Sequence, residues 1–197
     1  MIIYYFIDLN FLLILLTGNI YLAMNLSVIL YLFIAGLGMY LLALHLSGSK
    51  KAAFIAGLIY MFNGYVHSFV VPGNIMIMEG YSLIPLVMLF IIKALKEKEI
   101  ILNSILAGVL IALLINAGGV IFLPYIFLLV GVYSLIYAAS RNFLNKILKL
   151  AIAGILIVAF GFGLSAVKLL PGLEFLELSN RGQGIPYSEF IGAPLKM

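Results

Sequence analysis

Eight of the eleven Lys and Arg residues fall in three short gaps between long apolar runs: Lys50 and Lys51, then Lys93, Lys96 and Lys98, then Arg141, Lys146 and Lys149. The other three, Lys168, Arg181 and Lys196, lie near or beyond the end of the last run. A helix needs roughly 20 apolar residues to cross a bilayer core, and basic residues in short loops collect on the cytoplasmic side. A chain punctuated in this way is a polytopic membrane protein, and its expected fold class is an all-α bundle of transmembrane helices.

The composition agrees, because 65% hydrophobic residues at a mean hydropathy of +1.27 exceed what one water-soluble core of this size can hide. The net charge of +4 resides in loops that flank spans and forms no continuous stripe, which argues against a nucleic-acid partner. With no cysteine, disulfides and thiolate metal sites are excluded. The first 49 residues hold no Lys or Arg, so no basic leader is expected and insertion relies on the spans.

Six spans can be drawn, over about residues 20–46, 52–71, 75–95, 100–118, 120–139 and 147–170. The basic connections read as cytoplasmic. The Pro72–Gly73–Asn74 turn, the Asn116–Gly119 turn and everything after Pro171 then fall outside. Tyr21, Tyr65, Tyr81 and Tyr125 lie near the outer ends and Tyr40, Tyr133 and Tyr137 near the inner ends, as interfacial tyrosines do. The expected organisation is an outer-surface or re-entrant segment over 1–19, a helical domain over 20–170 and an outer-face segment over 171–197. An outside start points to a further helix upstream. Small pairs at i, i+4 (Ala53 and Gly57, Gly108 and Ala112, Ala159 and Gly163, Gly161 and Ser165) should let helix backbones approach closely. Gly-rich fragments such as Ala35–Gly38 are packing features, and Pro85 and Pro124 are expected to kink their spans.

Ionisable groups at membrane depth cost about 2.5–3.5 kcal/mol at a helix centre on insertion scales, so each one needs a reason. Lys168 lies three residues before Pro171, where it either snorkels to the interface or meets a lipid phosphate. His67, near the outer end of its span, is an interfacial hydrogen-bonding residue or a site residue. Glu79 follows the outer turn and is the acid of an otherwise uncharged stretch, His67 aside. It is either a solvated turn residue or a site residue, as a general base or a ligand for substrate hydroxyls. Asn116 shares a helix face with Gly108 and Ala112 and caps or bridges helices. Asp8 becomes a site residue only if the N-terminal segment folds over the core.

Beyond Pro171, Glu174, Glu177 and Arg181 recur at i, i+3 and i+7 on one face, with Leu173, Phe175, Leu176 and Leu178 on the others. A short amphipathic helix from Pro171 to Gly182 on the outer surface is the expectation. Its polar face is either a local Glu177–Arg181 pair, about 0.3–0.5 kcal/mol, or an anion site, since a guanidinium fork matches phosphate.

Two stretches carry a family resemblance: the run from Asn25 through NLSVILYLFIAGLGMYLLALHLSGSKKAAFIAGLIYMFNGYVHSF to PGN and LIPLV, and SAVKLLPGLEFLELSNRGQG followed by IPYSEF. Together they resemble the YfhO-like membrane proteins of the GT-C class of polyprenyl-phosphate-sugar-dependent glycosyltransferases. The resemblance implies a partial GT-C-like core, without the first span and the outer loop that usually carries the catalytic acid. It implies a phosphate-binding role for Arg181 and Lys168, with Glu174, His67 and Asn74 as further substrate-binding positions and Glu79 as a substitute base. Asn74 stands where many relatives have His. Some members use a divalent metal, though no ligand set for one is visible here.

Two functions follow as expectations. In the first, a plasma-membrane hexosyltransferase takes a sugar from a polyprenyl-phosphate donor and passes it to an envelope glycan or lipid acceptor on the outer face, the isolated chain being inactive. In the second, the chain is a non-catalytic scaffold or a transporter segment. The near absence of ionisable groups at the span midpoints argues against an ion-coupled carrier.

Overall fold

A computed structural model describes residues 9–70, 73, 75–138 and 143–178, and among these residues every regular element is a helix. The chain divides into two compact units, Met1–Ser165 and Ala166–Met197. In order, the helices are α1 (Leu9–Thr17), α2 (Ile20–Ser47), α3 (Lys50–Met61), α4 (Gly64–Val70), α5 (Ile75–Lys96), α6 (Ile100–Asn116), α7 (Leu123–Ala138) and α8 (Phe143–Leu178), with a 3-10 turn at Gly119–Phe122. Four helical segments are long and apolar enough to cross a bilayer: Ile20–Ser47, Ile77–Lys96, Gly119–Tyr137 and Lys146–Phe175. The all-α membrane bundle expected from the sequence is the architecture observed.

Local chemistry sets the breaks. Gly18 takes a left-handed φ of 63°, and the Asn19 side chain then caps α2 by accepting from the Tyr21 and Leu22 amides. The turn folds α1 back along α2, where the Asn10 amide lies 3.5 Å from the Tyr31 hydroxyl. At the far end of α2, Gly48 is left-handed with φ 67° and Ser49 caps α3.

The second span drawn from the sequence is two helices. Helix α3 has 12 residues, which at about 1.5 Å each is too short to cross. After it, Asn63 accepts from the Tyr65 amide at 2.9 Å to start α4. Asparagine competes for backbone hydrogen bonds and glycine is a poor helix former, so Asn63–Gly64 ends one helix and opens the next. Helix α6, at 17 residues, is also shorter than the run of 19 residues drawn for it, because Gly118 turns left-handed with φ 92°.

The prolines act differently from expectation in two places. Pro124 is the second residue of α7, where its missing N–H lies among groups that have no helical partner anyway. Pro171 lies inside α8, so a new helix does not begin there. Pro85 is interior to α5 and fully buried, with its Cβ 3.5 Å from the Cβ position of Gly38 on α2.

Helix α5 is the centre of the first unit. Within its spanning window 61% of residues are buried, against 28% for α2 and 17% for Gly119–Tyr137, whose apolar sides are left for lipid. Close crossings are made by glycine. A Cβ on Gly57 would lie 2.8 Å from the Gly36 carbonyl, and one on Gly108 would lie 2.8 Å from the Cβ of Phe160. Three buried serine hydroxyls turn back on their own helices, Ser27 to Ala23, Ser82 to Glu79 and Ser165 to Gly161, at 2.6–2.8 Å. In a medium without water this satisfies them locally.

Candidate functional site

Two ends of the first unit gather polar chemistry. At one, the last turn of α3, the first turns of α5 and the 3-10 turn converge on tyrosines. The Tyr60 and Tyr81 rings stack at 4.3 Å with planes 10° apart. Each hydroxyl donates to the other residue's backbone carbonyl, Tyr60 to Tyr81 at 3.1 Å and Tyr81 to Tyr60 at 3.3 Å. This head-to-tail pair satisfies two phenols and two carbonyls with no water. Tyr65 leans over Tyr81 at 6.4 Å and Phe122 meets it edge-on at 6.3 Å. Asn63, which breaks the α3–α4 segment, follows Tyr60 by three residues.

The arrangement depends on Gly80 and Gly119. A Cβ on either would lie 2.7 Å from the other's Cα, so the backbones touch and bring Phe122 onto Tyr81. A crevice opens beside the pair, lined by Tyr65, Val66, Ile77, Met78 and Tyr81, with no room for a water molecule. Glu79 lies in the first turns of α5 between the buried Met78 and Gly80, and is itself half-buried. Among the described residues of the first unit it is the one acid at this end.

At the other end, the last turns of α2, α5 and α7 meet the first turn of α8. His45 Nδ1 is 4.0 Å from a Glu97 carboxylate oxygen. Tyr137 donates to the Leu95 carbonyl at 2.7 Å, filling an acceptor left open at the end of α5. Lys96 lies over the Tyr133 ring at 6.0 Å and Lys146 over the Tyr137 ring at 4.9 Å. Among the described residues no group of three or more His, Cys, Asp or Glu side chains could hold a metal ion.

The residues singled out from the sequence are dispersed. Glu79 is at the tyrosine end. His67 lies in the seven-residue α4, its side chain outside what is described. Lys168, half-buried, and Glu174, exposed, belong to the α8 stretch of the second unit. Asn74 and Arg181 lie outside the described residues, as do Asp8 and Arg141. Sequence reasoning missed Tyr60, Asn63 and Phe122. The Asn63–Gly64 punctuation inside an apolar run was the available signal for the first two. Phe122 carried none, since one more apolar residue in a span marks nothing.

A helical membrane chain whose breaks and glycine crossings extend over nearly its whole length invites comparison at the level of the family. The sequence model of one family, described as 6-pyruvoyl-tetrahydropterin synthase related domain; membrane protein, matches residues 3–181. The chain belongs to that family. This corrects the resemblance to YfhO-like GT-C proteins: the match takes in both stretches on which that resemblance stood, up to Arg181. The physical reason is that apolar spans and small-residue pairs recur in any helical bundle, and the LLP-x-LEFL-x-LS-x-R string is too short to choose among families. No curated protein and no solved structure matches the chain.

Proposed function

We propose that the chain is a multi-pass membrane protein that handles a lipid-borne substrate at its tyrosine end. The reaction we assign is transfer of a sugar from a polyprenyl-phosphate donor to an envelope acceptor. The observation that carries the reading is the position of Glu79, a half-buried acid beside an aromatic cluster at one end of an otherwise apolar unit. Such a transfer needs a base for the acceptor hydroxyl, and a carboxylate away from bulk water is poised for that role. Tyrosine faces suit the apolar face of a sugar ring. In this reading the lysine end faces the cytoplasm and the tyrosine end faces outward in the plasma membrane.

The test is sugar transfer in membranes carrying the protein. Glu79→Gln should lower turnover by about 100-fold or more, within the range general-base catalysis contributes, while Lys50→Gln leaves it unchanged. Full turnover in Glu79→Gln would remove Glu79 from the reaction.

A second reading, a non-catalytic scaffold, also has an observation in its favour. Tyr81 is only 8% exposed and the crevice beside it admits no water, so the cluster already works as a clamp between α3 and α5. Absence of transfer in the unsubstituted protein, with every donor and acceptor tried, would favour this reading.

A further inference from the structure

We propose, on the reading of the tyrosine end as the place of a lipid-borne substrate, that α4 is a lid whose opening admits the apolar chain of that lipid to the Ile77–Tyr81 face of α5. The crevice at this end lies between Tyr65 and Val66 of α4 on one side and Ile77, Met78 and Tyr81 of α5 on the other. It has no room for a water molecule, so nothing enters while α4 stays in place. Val66 on one wall and Met78 on the other are each 2% exposed, and the walls are closed on each other.

Helix α4 is able to move as a piece. It has seven residues, and a helix of that length depends on what it packs against. Its start is held by bonds within residues 63–68. The Tyr65 amide donates to Asn63 Oδ1 at 2.9 Å, the Val66 amide to the Asn63 carbonyl at 3.1 Å and the Ser68 hydroxyl to the Tyr65 carbonyl at 2.7 Å. These bonds are kept when α4 leaves α5. A break bounds the segment on each side: Phe62 ends α3 at φ −101° and ψ 24°, and Gly73 is left-handed with φ 75°.

The contacts that shut the crevice are apolar. Val66 is buried, and the Tyr65 ring lies over that of Tyr81 at 6.4 Å. In lipid an apolar side chain gains little by leaving hydrocarbon for protein, so a lipid chain can replace α4 on the α5 wall at small cost. The lining also selects the occupant. All five side chains are aliphatic or aromatic, and the Tyr81 hydroxyl is donated to the Tyr60 carbonyl, so the wall offers a ring face. A hydrocarbon chain fits these walls; a headgroup or a soluble anion does not.

The experiment illuminates the purified full chain in bilayers of a phosphatidylcholine that carries a diazirine at the end of one acyl chain, and maps the adducts by mass spectrometry. Met78 should carry adducts although it is buried, while Leu114 of α6, 0% exposed, carries none. Leu128 of α7, 65% exposed, gives the yield on an open apolar surface. The chain has no cysteine, so the Val66→Cys/Ile77→Cys pair can be oxidised to tie α4 to α5. Adducts at Met78 should be lost on oxidation and return on reduction, with those at Leu128 unchanged. Absence of adducts at Met78 in the unsubstituted protein, or their persistence in the oxidised pair, would overturn the lid. Failure of the pair to oxidise would show that the two walls do not face each other and would overturn the closed crevice. No sugar donor or acceptor is present, so the outcome is independent of whether the protein transfers sugar.

Discussion

The two ends of the first unit solve the same problem with opposite chemistry. At each, helices stop and leave polar groups that the bilayer cannot satisfy. The lysine end uses long charged side chains laid on aromatic faces, with one phenol reaching across to a helix terminus. The tyrosine end uses short, buried reciprocal bonds between stacked rings and backbones in contact through glycine. The first solution tolerates water and movement; the second requires close packing. Polar groups near a membrane surface can thus be satisfied by reach or by fit, and only fit is sensitive to a single added carbon.

The contrast breaks first if the two ends do not face opposite sides of the membrane. The chain has no cysteine, so single substitutions give labelling without background. Lys50→Cys should react with an impermeant thiol reagent from one side only, and Val120→Cys, in the 3-10 turn, from the other. This is an all-or-none outcome, and labelling of both from the same side would end the comparison.

Next in size is the glycine contact. Gly80→Leu meets the Gly119 backbone, which cannot rotate away. Overpacking costs about 1–3 kcal/mol and occasionally more, and here the upper part of that range is expected in unfolding measurements in detergent. Gly131→Leu, which meets nothing within 4 Å, should be close to neutral. Equal loss in the two variants would show that the contact does not hold this end together.

The smallest effect sets one bond of each kind side by side. Tyr81→Phe keeps the stack and loses the bond to the Tyr60 carbonyl, and interhelical hydrogen bonds in membranes average about 0.6 kcal/mol with a maximum near 1.7. A value near that average is expected. Glu97→Gln loses only a 4.0 Å contact with His45 on a half-exposed surface, for which about 0–0.5 kcal/mol is expected. A larger loss for Glu97→Gln than for Tyr81→Phe in the same unfolding assay would reverse the ranking of the two ends.

Much of this fold was legible along the chain. The apolar runs and basic gaps placed α2, α5 and α7 to within a few residues, because insertion into lipid is a local sum over about 20 residues, whereas α8 runs on through Pro171 to Leu178, past the span drawn for it. The caps Asn19 and Ser49 act through equally local chemistry, yet the sequence reading did not single them out. Of the candidate site, Glu79 was visible as an isolated acid and Tyr65 and Tyr81 as interfacial tyrosines. The Tyr60 partnership was not, since nothing in the spacing of residues 60 and 81 states that α3 ends beside the start of α5.

The sequence alone therefore determined that the chain is a helical membrane protein, roughly where its helices lie, and which loops carry charge. Tertiary structure decided which helix is central and which small-residue ridge is used. Gly161–Ser165 and Ala159–Gly163 have the same spacing on α8, yet the first pair is buried and the second exposed. Their local energies are nearly equal, and only the arrival of Gly108 and Ile111 from α6 distinguishes them. In lipid an apolar surface gains little by hiding from its solvent, so hydropathy places the spans but shape complementarity chooses the neighbours.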